Sequence, residues 1–220
     1  MTSYTKKLRD ALSPALAQIF KKLHTPEKIQ DYLDTLAINF DLSGNLLSSK
    51  KIIAEGKAQC IEGAMFAAAA LAYHSTPPLL LDFQTTSYDE DHVVALFKKN
   101  GLWGAISKTN HGILRWRDPV YKSVRELSMS YFHEYFMHDG RKTMRAYSKP
   151  FNLTRYDPAY WVMSDESLEQ VAVDLDESPH IRVVPKNNYT SLRRVSAIEI
   201  KLLDVVEWKR PVVATTKKIK

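Results

Sequence analysis

The sequence predicts an α+β fold, and three observations carry that prediction. From Ala58 to Tyr73 the residues are apolar all the way round, through Ile61, Ala64, Met65, Phe66, four consecutive alanines, Leu71 and Ala72, which marks a helix buried on every side. Two runs rich in strand formers, His92 to Lys98 and Leu102 to Ser107, flank Asn100-Gly101, a pair suited to the positive φ angles of a two-residue hairpin turn. Before and after this block apolar residues recur at helical spacing, and helices around consecutive antiparallel strands is an α+β order.

The elements follow in chain order. Leu8, Leu12, Ala15, Leu16, Ile19 and Leu23 share one helical stripe and predict a single first helix. Thr25 caps a second helix, Pro26 suits its first position, and Ile29, Leu33 and Leu36 form its apolar face. Ser43-Gly44-Asn45 is a turn leading to a short helix from Ser49 to Glu55. After the buried helix, Pro77-Pro78 ends a connection, and Leu79 to Phe83 reads as an interior strand. The hairpin turn sets a register in which Val94 faces Ser107 and His92 faces Thr109, all on one side. Pro119 is expected to open a long helix through Val120, Val124, Leu127, Tyr131 and Tyr135, ending at Asp139-Gly140. Ser164 to Val173 reads as a capped helix, Ile181 to Val184 as a strand, and Val195 to Val206 suits either state.

A chain of 220 residues, 45% hydrophobic, can bury one sizeable core. One domain is expected over 1–208, with a core at about 25–110, a helical and mixed extension at 118–208, and a basic flexible tail at 209–220. No run of 18 apolar residues occurs, and Lys6, Lys7, Arg9, Asp10, Lys21 and Lys22 interrupt the opening segment, so no membrane association is expected. A single cysteine cannot close an internal disulfide, and a reducing, cytoplasmic location is expected. The net charge is +6, with its densest stretch at Lys209, Arg210, Lys217, Lys218 and Lys220. This is read as a solvated tail rather than a nucleic-acid arm. No glycine-rich phosphate loop is present, and His133 and His138 stand five residues apart, about 140° around a regular helix, too far to share a zinc ion. No metal and no cofactor are expected.

The candidate chemistry is a thiol and an imidazole. Cys60 falls in the first turn of the buried helix, where unpaired N–H groups favour an anion, and Glu55-Gly56-Lys57-Ala58-Gln59 brings a lysine to the same end. His92 heads the first hairpin strand after Asp89-Glu90-Asp91, whose carboxylates would favour an imidazolium and, beside it, a thiolate. The bland alternatives are a buried structural cysteine and an acidic loop capping a hairpin. Arg115-Trp116-Arg117, with Lys108 and His111, offers a surface for an anionic substrate group, unless the arginines pair with Asp118 and Glu126.

These residues carry a family resemblance. Gly56-x-x-x-Cys60 at the head of an apolar helix, a strand beginning at His92 and a following strand marked by Trp103 resemble the transglutaminase-like core, a papain-like cysteine hydrolase fold, over roughly Thr25 to Asn110. The Ala58–Gly63, Asp91–Phe97 and Trp103–Lys108 segments are similar to a bacterial branch of that superfamily. The resemblance implies a Cys-His-Asp triad acting on a peptide or small amide substrate; Trp103, Arg115 and Arg117 are the candidate substrate contacts. Four residues past Trp103, where the family places its aspartate, stands Ser107, diagonal to His92; Asn110 is the second candidate for orienting the ring. The leading expectation is a cysteine-dependent enzyme of acyl transfer or amide hydrolysis; because a serine supplies no charge to an imidazolium, the alternative is a degenerate domain of the same kind that binds a peptide or protein partner without catalysis.

Overall fold

A computed structural model describes residues 2–41 and 43–210. Of the basic tail, Lys217, Lys218 and Lys220 lie outside the described residues.

Three helices open the chain where two were expected: α1 (Ser3–Ala11), α2 (Pro14–Lys22) and α3 (Pro26–Thr35). The break comes at Leu12, which is extended, and at Ser13, whose hydroxyl accepts from the Leu16 N–H and caps a new helix with Pro14 in its first turn. The stripe is continuous in sequence, but the local capping signal splits it. Thr25 caps α3 as expected, its hydroxyl accepting from the Lys28 N–H.

Two short parallel strands, β1 (Ala37–Ile38) and β2 (Lys57–Ala58), bracket α4 (Ser49–Glu55). Then comes α5 (Cys60–Tyr73), buried from Ile61 to Ala72. Strands β3 (Leu79–Gln84), β4 (His92–Lys99) and β5 (Leu102–Ser107) follow, and Asn100 (φ 54°) and Gly101 (φ 82°) make the predicted turn with Val94 opposite Ser107. The ladder ends at that pair, so Thr109 lies beyond it and does not pair with His92.

The long helix expected from Pro119 is corrected. Arg117–Tyr121 is strand β6, on the edge of the sheet, where a proline costs no ladder hydrogen bond. The helix α6 (Val124–Tyr131) starts at Ser123, which caps it, and gives way to a 3-10 turn over Phe132–Glu134. Beyond lie β7 (Ala146–Ser148), β8 (Phe151–Asn152), α7 (Pro158–Met163), α8 (Glu169–Asp176), β9 (His180–Arg182) and α9 (Ala197–Ile200). The helix expected over Ser164 to Val173 is thus displaced, because Ser164 ends α7 and the next helix starts at Glu169. Val195 to Val206 resolves as helical turns, α9 continuing into a 3-10 turn over Lys201–Asp204.

The larger sheet is antiparallel throughout, ordered β6-β5-β4-β3-β7-β9 with β8 also pairing β3. Helix α5 and the N-terminal helices pack on one face, against Leu80, Val93, Ala95, Phe97 and Ile106. Leu127 and Tyr131 of α6, with Phe132 and Tyr135, cover the other, against Leu81, Phe83, Val94, Leu96 and Ala105. Burial on both faces is why β3 and β4 read as unbroken apolar runs and not as alternating ones. The protein is a mixed α+β fold with an antiparallel sheet between helical layers, and among the described residues no helix is long and apolar enough to cross a membrane.

Candidate active site

His92 is the first residue of β4 and pairs with Phe83, so its ring leaves the sheet on the face of Val94 and Leu96. It is 6% exposed. Its Nε2 lies 2.8 Å from Ser107 Oγ, and the Ser107 hydroxyl donates to the Leu114 carbonyl at 2.5 Å. A hydroxyl has one hydrogen and a carbonyl can only accept, so Ser107 must accept from the ring. Nε2 therefore carries the hydrogen, which leaves the basic lone pair on Nδ1. Burial pushes the imidazole down to about 4, with the Leu114 carbonyl opposing and the positive charge of Arg117 adding. The ring is neutral at physiological pH.

Ser107 is held by residues far away in sequence. The Gln30 side chain on α3 accepts from the Ser107 N–H and donates to the Ser107 carbonyl, both at 2.9 Å, so an amide takes the place of one more strand residue at the end of β5. Leu114 adopts a left-handed conformation, φ 60°, unusual for a branched residue. That geometry sends its carbonyl to Ser107 while its N–H donates to Glu134 Oε2 at 2.6 Å. Arg117 then clamps Glu134 Oε1 at 2.5 Å, and its guanidinium sits 4.0 Å from the centre of the Tyr131 ring. Arg117 props the loop that positions Ser107 and does not line the cleft. Arg115 pairs with Glu207 at 3.0 Å, and Trp103 lies under Lys98 on the sheet, so neither lines it either. Asn110 does line the cleft, but its amide bonds the main chain of Trp208, leaving Ser107 as the residue bonded to His92.

Cys60 opens α5. Glu62, two residues on, is buried and accepts from the Gln59 N–H at 2.7 Å, the Leu47 N–H at 2.8 Å and the Asn39 side chain at 3.1 Å. One carboxylate thus fixes the helix start and the 39–47 loop together. The cysteine is free and partly accessible. Surrounding protein pushes its thiol up to about 11; the Val93 and Ile61 backbone amides oppose this, and Asp82 and Glu90 reinforce it. The expectation that the helix N-terminus would ease ionisation is reversed because desolvation outweighs the dipole. Beside it runs a buried lysine: Lys108 donates to the Leu33 and Leu36 carbonyls at the end of α3, at 2.8 and 2.5 Å. Its stem crosses Gly63, where an added Cβ would meet Lys108 Cβ at 2.5 Å, so only glycine fits there.

Cys60 and His92 line one cleft of about 730 Å³, with Phe40, Asn110, Tyr135 and His138 among its walls. No hydrogen bond joins the two among the described residues. The acidic run borders the same cleft, but two of its carboxylates close the β3–β4 loop: Asp91 accepts from the Thr85 N–H at 2.7 Å and its hydroxyl at 2.8 Å, and Asp89 accepts from Thr143. The one grouping of potential metal ligands among the described residues is Asp82, Asp91 and Asp176, whose oxygens lie within 4.8 Å of one another; Asp82 is already bonded by His180 at 3.0 Å. Gln30, Glu134 and Leu114 were not singled out from sequence. Gln30 stands beside the Ile29–Leu33–Leu36 stripe of α3, and its spacing carries no local signal of this role.

Compared with known proteins, the chain matches no protein-family model and no curated protein sequence.

Proposed function

We propose that the protein is a cysteine-dependent enzyme of acyl transfer or amide hydrolysis built on a transglutaminase-like core. The observation that carries this reading is the tautomer of His92: Ser107 spends its only hydrogen on Leu114 and so keeps the imidazole base on Nδ1, in the cleft that also holds Cys60. Both groups rest neutral. In the reaction Cys60 Sγ would bond to the substrate carbonyl carbon as its proton passes to His92 Nδ1, and the developing oxyanion would take the Cys60 backbone N–H at the helix start. His92 would then hand that proton to the leaving amine, and water or a second amine would release the acyl group. A neutral orienter suits this cycle, because serine fixes the ring without holding a permanent imidazolium.

One observation favours the alternative, a peptide- or protein-binding module without catalysis: burial holds the thiol near 11 and the imidazole near 4, opposite to a standing ion pair. Iodoacetamide alkylation of Cys60 across pH 5 to 10 separates the two. The enzyme reading expects a rate at pH 7 at least about tenfold above that of a lone thiol titrating near 11, falling to the lone-thiol curve in His92→Ala and partly in Ser107→Ala. A rate that follows the raised thiol alone and ignores His92→Ala rejects catalysis and leaves the binding module.

A further inference from the structure

The segment from Leu203 to Arg210 borders the cleft at its two ends and is held between them by main-chain bonds. The Gly112 N–H donates to the Val205 carbonyl at 2.9 Å, and the Glu207 N–H donates to the Asn110 carbonyl at 3.0 Å. The Asn110 side chain reads both main-chain groups of one residue, its Oδ1 accepting from the Trp208 N–H and its Nδ2 donating to the Trp208 carbonyl, both at 2.9 Å. His111 and Val206 form an antiparallel bridge between these points. Every one of these bonds engages main-chain atoms of the segment. Of its side chains, Glu207 pairs with Arg115 at 3.0 Å, while Val205, Val206 and Trp208 are 55%, 40% and 40% exposed. At its two ends, Leu203 and Arg210 line the cleft, and the Arg210 guanidinium reaches to 5.7 Å from the Phe40 ring on the wall that follows β1.

We propose that the Asn110–Gly112 edge is a docking rail for an extended polypeptide, and that residues Val205–Trp208 occupy it, making the Leu203–Arg210 segment an internal lid across the Cys60 cleft. A rail that reads N–H and C=O groups accepts any extended chain whose residues at the contact points carry an N–H. A lid held by main-chain bonds and one part-exposed ion pair, with its apolar side chains largely in water, has a small opening free energy and yields to a competing strand. The partner is therefore a polypeptide and not a small amide. This goes beyond the catalytic reading and survives its failure, since it requires access to the cleft and not turnover.

The test uses the 220-residue chain and a Glu207→Pro/Trp208→Pro variant, which removes two of the donors from exposed positions, with Arg115→Ala alone as the control for the ion pair that Glu207→Pro also removes. With the competent fraction raised, Cys60 in the variant should be alkylated by iodoacetamide about tenfold faster than in the parent. A synthetic octapeptide of sequence 203–210 added to the variant should restore protection, and the same peptide with proline at the two donor positions should not. In the unaltered protein, excess octapeptide should accelerate hydrogen exchange of the Val205–Trp208 amides, a readout independent of how the variant folds. Alkylation at the parent's rate in a folded variant, equal protection by the proline peptide, or exchange indifferent to the octapeptide overturns the proposal. A positive result together with no effect of His92→Ala on alkylation would keep the rail and reject the enzyme.

Discussion

The two walls of the cleft are built by different physics. One, spanning Ala58 to Ser107, consists of α5 and the β3–β5 strands, fixed by side chains buried on every side. The other, made of residues 108–114, 134–138 and 203–210, has little regular structure; beside a small apolar cluster of Ile113 and Phe136 with Val195 it is held by a chain of polar bonds: Lys108 to the end of α3, Leu114 to Glu134, Glu134 to Arg117, Asn110 to Trp208. The nucleophile sits on the first wall. The orientation of the base depends on the second, because the Ser107 hydroxyl is directed by Leu114. Rigidity from packing is distributed over many contacts, whereas rigidity from a polar relay is lost at any one link.

The largest expected effect falls where a polar anchor sits inside the apolar wall. Glu62→Ala leaves the Gln59 and Leu47 N–H groups and the Asn39 amide without an acceptor, and at about 1–3 kcal/mol for each buried orphan the loss should exceed about 3 kcal/mol in urea denaturation. A loss under about 1 kcal/mol would mean that packing alone fixes this wall. His92 probes the junction between the walls by pH. Its folded value, near 4, lies below the ordinary 6.5, so as pH falls the unfolded chain takes up the proton first. Stability from this group is present above about pH 6.5 and lost as pH falls toward 4, roughly 3 kcal/mol at 1.36 kcal/mol per unit. Denaturation curves of parent and His92→Gln should converge in shape above pH 6.5 and diverge below it; parallel curves would place the imidazole in contact with water. Gln30→Ala comes next, at about 2 kcal/mol, from orphaning the Ser107 N–H and carbonyl. It should also lower Cys60 reactivity if the enzyme reading holds, whereas Leu33→Ala, which damages the same helix by packing, should cost stability without that change.

The same division explains what could be read from the sequence. The buried helix, the hairpin and its register were legible because apolar composition and Asn100-Gly101 are local signals. The register brought Ser107 diagonal to His92 but left Asn110 as an alternative; the bond itself fixes Ser107. The start of α6 was not legible, since Pro119 fits both a helix opening and an edge strand, and the choice is made by pairing of Arg117 with Ala105 and Tyr121 with Trp103. Leu114's left-handed turn, Gln30's grip on Ser107 and the Asn110–Trp208 pair join residues up to 98 positions apart, and no periodicity announces them. The protonation directions at Cys60 and His92 were misjudged for a related reason. Charge neighbours and helix position are visible in sequence, but burial decides the sign.

The smallest effect tests where the site ends. Trp103 lies on β5 four residues before Ser107, with the Lys98 ammonium 4.3 Å from its ring centre and Tyr121 opposite it in the ladder. Both contacts are on the part of the sheet remote from the cleft lining. Trp103→Ala should therefore cost about 1 kcal/mol, the cation–π contact at a partly exposed position plus some lost packing, and leave the rate and pH profile of Cys60 alkylation unchanged. Because β5 is fixed on both sides by β4 and β6, a disturbance at Trp103 has no soft segment through which to reach Ser107. An altered alkylation profile would show that the strand transmits it, and the boundary of the site would then move down β5 to include the tryptophan.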